Sequence, residues 1–236
     1  GPVNNTDDHA VGLLLHDTMA FNPDGTPLGL IDAQCWARDP GELGKKKRRH
    51  SLPIEQKESN KWLNSFRKAA AAQQRCPDTT VVSVGDREAD IYDLFSLAAQ
   101  DPSGAKLLVR ANHDRFLAQE QGHLWEQVSR QEVFGVREIR VPRRKDRPVR
   151  LARMEVRFAE VILKPPIRKE ELHDLTIWAV LAREVDAPDG TKPLEWMLLT
   201  TCEVSTFDQA MEKLAWYTGR WGIEVYHRTL KSGCLI

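Results

Sequence analysis

Residues Thr79–Ile91 read TTVVSVGDREADI, and this stretch decides the fold class. Thr79–Val84 is an unbroken run of β-favouring residues, the pattern of a central strand covered on both faces. Gly85 ends the run, and Asp86 follows at the C-terminal edge of the strand, where α/β proteins place their sites. Glu88–Gln100 then reads as a helix and Lys106–Ala111 as a second strand, so the order is that of an α/β layer. A lone Asp after a strand also serves as a helix N-cap, and the local pattern leaves both roles open.

Outward from this centre, Val11–Phe21 and Gly29–Arg38 flank the turn Asn22-Pro23-Asp24-Gly25 and predict a β-hairpin. A helix is expected at about Lys57–Arg75, with Trp62, Phe66 and Ala69–Ala72 in it. On the other side come a short helix at Leu124–Ser129 and strands around Phe134–Val141, Val149–Leu163, Leu175–Val185 and Leu194–Thr201. From Thr206 the chain is helical again, with Ser205 or Asp208 as N-cap. The expected division is 1–112 as an α/β core, 113–203 as a β-rich insertion and 204–236 as a terminal helix.

With 41% apolar and 29% charged residues, the chain has the composition of a globular protein with a real core. No apolar run approaches the roughly 18 residues of a membrane span, and no signal-peptide pattern opens it, so a cytoplasmic, non-membrane protein is expected. Cys35, Cys76, Cys202 and Cys234 have no metal-ligand spacing and read as reduced thiols. Net charge is zero, but the charges are segregated. Residues 1–34 hold five Asp and no Lys or Arg, whereas Lys45–Arg49 is wholly basic and Arg137–Arg157 has nine basic residues against three acids. Local field governs contact with phosphate, so such segments suit nucleic acid, although each alone also suits a solvated face.

On a continuous helix Tyr217, Arg220, Glu224 and Lys231 fall at about 0°, −60°, −20° and −40°, one narrow stripe beside Leu214, Trp221 and Val225. A surface helix with ordinary pairs such as Arg220–Glu224 gives the same stripe. Gly219 and Gly222 cost about 1 kcal/mol each against Ala. Close approach of another backbone, such as DNA, would account for them.

The pattern Tyr-x2-Arg-x3-Glu-x6-Lys within W216-YTGRWGIEVYHRTLKSG233 resembles the signature of cut-and-paste bacterial insertion-sequence transposases of the DDE type. The segment V84-GDREADI91 is similar to the second-Asp motif of that family. The resemblance implies a ribonuclease H-like mixed sheet flanked by helices, with a β-rich insertion before the last catalytic helix. It implies that Asp86 and Glu224 are catalytic carboxylates and metal ligands, and that Tyr217, Arg220, Lys231, Arg87, Arg110 and Trp196 contact DNA. Trp196 lies in L194-EWMLLTT201, where relatives handle a flipped base; a buried strand aromatic is the plainer role. Such enzymes activate an oxygen nucleophile and stabilise the leaving alkoxide with two Mg²⁺ (or Mn²⁺) ions about 3.5–4 Å apart, which takes hard carboxylate ligands.

The implied partners are duplex DNA, at transposon ends and target, and a second copy of the full-length protein. Zinc-cluster, Walker A and Ser-His-Asp patterns have no local support. The family also needs a first Asp upstream of the hairpin. Asp17-Thr18 has a similar look but falls in the hairpin strand, so the first Asp and both flanking regions are expected outside this chain, which alone would then be inert. Two other readings stay open: a non-catalytic DNA-binding relative that regulates transposition, and an interaction protein whose basic β segment binds something else.

Overall fold

In the computed structural model the described residues are 2, 11–42, 52–141, 149–169 and 171–233. Asp7, Asp8, the Lys45–Arg49 run and Cys234 lie outside them. The chain divides into two compact units, residues 1–81 with 221–236, and residues 82–220.

In the first unit β1 (Leu14–Phe21) and β2 (Pro27–Trp36) pair antiparallel as the expected hairpin. The Gly25 N–H donates to the Asn22 carbonyl at 2.8 Å, and Gly25 takes φ +90°, which glycine adopts without strain. Helix α1 (Asn60–Arg75) buries Leu63, Phe66 and Ala69 along one side. The Gln73 side chain ends it by donating to the Cys76 and Thr79 carbonyls and accepting from Val81 N–H. His16 of β1 meets the Trp62 ring edge-on at 4.6 Å. Helix α5 (Trp221–Ser232) completes the unit and has no fully buried residue.

The second unit is a six-stranded mixed sheet with helices. Its strands are β3 (Val82–Gly85), β4 (Lys106–Arg110), β5 (Gly135–Val141), β6 (Arg150–Leu163), β7 (Leu175–Val185) and β8 (Glu195–Thr200). They lie in the order β3-β4-β8-β7-β6-β5, with β3 and β4 parallel and every other pair antiparallel. The expected β-rich stretch is therefore bonded to the α/β strands through β4–β8 and continues the same sheet. Strand β3 was expected to be central. Within this sheet it is an edge strand, and Val82–Val84 are half-buried.

Helices α2 (Tyr92–Ala99), α3 (Leu124–Ser129) and α4 (Phe207–Gly219) pack on the sheet. The N-cap of α4 is Thr206, not Ser205 or Asp208. Its side chain accepts from Gln209 N–H while Gln209 reaches back to the Thr206 N–H, a reciprocal cap worth about 1 kcal/mol. Ala210, Leu214 and Tyr217 of α4 join Leu108, Leu198, Val180 and Met154 in one core on a single face of the sheet. Among the described residues no helix is long and apolar enough to cross a membrane.

Candidate functional site

Strand alternation places the site. Arg110 pairs with Leu198 and Val84 with Leu108, so Val84, Leu108, Arg110, Leu198 and Trp196 share the face covered by α4. Asp86 is one residue beyond β3 with extended backbone (φ −84°, ψ −164°), which continues that alternation and puts its carboxyl on the same face. Strand β8 runs antiparallel to β4, so its first residues, Glu195 and Trp196, lie at the edge where β3 and β4 end. The Arg110 guanidinium donates to the Glu195 carbonyl at 2.9 Å across this edge.

The end of α4 reaches the same place. The Tyr217 ring, 5% exposed, meets the half-buried Trp196 ring edge-on with centroids 5.6 Å apart. The Arg220 guanidinium stands 6.0 Å from the centre of the Tyr217 ring on its other contact. Asp86, Arg110, Trp196, Tyr217 and Arg220, named from the sequence, thus gather at one end of one sheet face. Arg87 is exposed in the 3₁₀ turn Arg87–Ala89 that follows Asp86.

The Asp86 Oδ1 accepts from Glu88 N–H at 2.9 Å, so Asp86 does cap that turn. Asp90, four residues on, has a structural task. Its carboxylate accepts from Asn112 and His113 N–H at 2.7 and 2.9 Å and from Arg115, fixing the segment after β4. Glu195 went unnoticed in the sequence, where nothing marks it. Its two carboxylate oxygens accept from Trp125 Nε1 and Arg183 Nε, each at 2.7 Å, so the residue before Trp196 is held from the opposite face.

Two expectations about the last helix are corrected. It is not continuous: α4 ends at Gly219, α5 begins at Trp221, and Arg220 is the turn between them. Glu224 and Lys231 remain one stripe on α5, both exposed, while Tyr217 and Arg220 belong with α4. Nor does Gly222 need DNA. A Cβ at Gly222 would stand 2.6 Å from the Phe21 ring, so a side chain of this chain requires it, and Gly219 has open space around it at the end of α4.

The basic stretch is also less available than its composition suggested. Arg150 pairs with Glu184, Arg157 with Glu155 at 2.9 Å, and Arg153 with Asp186 at 3.5 Å, so three of the stretch's five described arginines have an acidic partner. The Arg150 hydrogen bonds hold the Glu184 carboxyl below its ordinary range. Residues 142–148, the most basic part, lie outside the described residues. Among the described residues no three His, Cys, Asp or Glu side chains converge as a metal cluster. No protein-family model matches the chain.

Proposed function

We propose that this chain is the catalytic core of a bacterial DDE-type DNA transposase, whose parent protein cleaves and joins DNA strands at transposon ends. The observation that carries the reading is the sheet edge of residues 82–220, with an aspartate, two arginines and a tryptophan against a buried tyrosine. Arg110 and Arg220 suit phosphate oxygens through paired N–H donors. The half-buried Trp196 ring, braced by Tyr217, offers a stacking surface for a base. Asp86 and Glu224 would hold Mg²⁺ or Mn²⁺. Their donors are all carboxylate oxygen, the chemistry these ions take, often as one or two carboxylates with substrate phosphate. When bound, the metal supplies the charge that activates the attacking oxygen and stabilises the leaving one. Duplex DNA is the partner, with a second copy of the full-length protein in the DNA complex.

A second reading, a non-catalytic DNA-binding relative, is favoured by the cap that Asp86 makes to Glu88. Fluorescence anisotropy of a labelled duplex with and without Mn²⁺ separates them. The catalytic reading expects Arg110→Ala and Arg220→Ala to weaken binding, and Mn²⁺ to strengthen it for the native chain but not for Asp86→Asn. Equal response to Mn²⁺ in both would favour the second reading, and no duplex binding at all would remove both.

A further inference from the structure

We propose that His227 is a further phosphate-contacting residue, held in place for that role by the buried carboxylate of Asp17. The inference rests on reading α5 as a phosphate-facing helix. Asp17 and Phe21 lie on one face of β1, and α5 meets that face twice, through Gly222 against the Phe21 ring and through His227. The Asp17 side chain is 1% exposed, and its Oδ2 lies 3.1 Å from His227 Nε2. Its Oδ1 is buried with no hydrogen-bond partner among the described residues. A buried carboxylate is unfavourable unless paired, and it can only accept, so His227 Nε2 carries a proton. Asp17 therefore fixes both the place and the tautomer of a ring that is still 36% exposed.

The remaining polar atom of the ring is Nδ1. His227 lines a shallow depression on α5 with Glu224, Arg228, Lys231 and Ser232. Two cations against one carboxylate make this depression favour an anion, and a phosphodiester is the anion that the proposed function supplies. With Asp17 on Nε2 and a phosphate oxygen on Nδ1, the imidazole is bracketed by two anions. That bracketing suits a ring that donates from both nitrogens. Asp17 is the positioning residue; His227 makes the contact. This gives Asp17 a task other than that of the family's first carboxylate.

The test follows the imidazole nitrogens of the intact chain by two-dimensional ¹H–¹⁵N spectra during titration with inorganic phosphate, and duplex binding by anisotropy. In the native chain the Nδ1 resonance should move as phosphate is added, and in Asp17→Asn it should move much less. A purely structural His227 would leave Nδ1 unmoved, and that result overturns the proposal, as does an equal shift in Asp17→Asn. His227→Gln, which keeps a donor near Nε2 and loses the Nδ1 contact, should keep the native melting temperature and bind duplex about tenfold more weakly at low salt. Native affinity in His227→Gln, with Lys231→Ala weakened, overturns this proposal and leaves the proposed function standing. A phosphate-dependent Nδ1 shift in a chain that binds no duplex does the reverse. The native-chain spectra decide the His227 contact even where a variant fails to fold.

Discussion

Replacing Asp90 by Asn tests how the D86-READ90 segment divides its work. The Asp90 side chain is 0% exposed and its partner Arg115 is 9% exposed. One carboxylate oxygen accepts from the Asn112 and His113 N–H groups and the other from Arg115. An asparagine of the same shape must turn its NH₂ either toward those two N–H donors or toward the guanidinium, and both choices set donor against donor. Breaking a buried ion pair from one side costs about 3–5 kcal/mol. Each backbone N–H left without an acceptor adds about 1–3 kcal/mol, though these losses overlap because they share one carboxylate. A net loss of about 4–5 kcal/mol is expected, which lowers the melting temperature by about 10–15 °C in a chain of this size. Differential scanning calorimetry at neutral pH measures it. A loss under about 1 kcal/mol would contradict a structural role for Asp90.

Three further outcomes are expected. Hydrogen bonds from Arg150 lower the Glu184 carboxyl below its ordinary 4.5, so its stabilisation is present above that value and is lost as pH falls through the lower folded value. The stability gap between the native chain and Glu184→Gln, measured by urea unfolding, should be full at neutral pH and shrink in acid below 4.5; a gap that widens there would contradict this. Trp125→Phe removes the donor to Glu195 and leaves that half-buried carboxylate short of one bond, so a loss of about 1–2 kcal/mol in urea unfolding is expected, against none if Glu195 is idle. Arg220→Ala should make the slope of log K against log salt for duplex binding shallower by about 0.9, the share of one phosphate; an unchanged slope would remove Arg220 from the interface.

Much of this protein was legible in its sequence because most of its elements carry strong local patterns. The hairpin turn, Leu124–Ser129 and Leu175–Val185 stand where the residue periodicity puts them. What failed was long-range. The Thr79–Val84 run looks central, yet which strands pair with it depends on residues far along the chain, and β4 reaches β8 across some ninety residues, as the Leu107–Thr201 bond shows. The break at Arg220 has no proline or turn signal, since Arg220 keeps helical dihedrals (φ −52°, ψ −27°) and only its hydrogen bonding changes, its N–H turning to the Tyr217 carbonyl three residues back. The candidate site divides the same way. Asp86, Tyr217 and Arg220 stand in motifs that resemble a known family's, and the same resemblance implied Arg110 and Trp196. The clamp on Glu195 and the pairing of Asp17 with His227, 210 residues apart, exist only in three dimensions.

The central claim is that Asp86 and Glu224 are metal-holding carboxylates of a DNA-processing site. Calorimetric titration of Mn²⁺ into the chain with a short duplex bound tests it most directly. Saturable Mn²⁺ binding is expected, abolished by Asp86→Asn and weakened by Glu224→Gln, with duplex affinity in the absence of metal retained in both. Mn²⁺ binding unchanged by either substitution would contradict it.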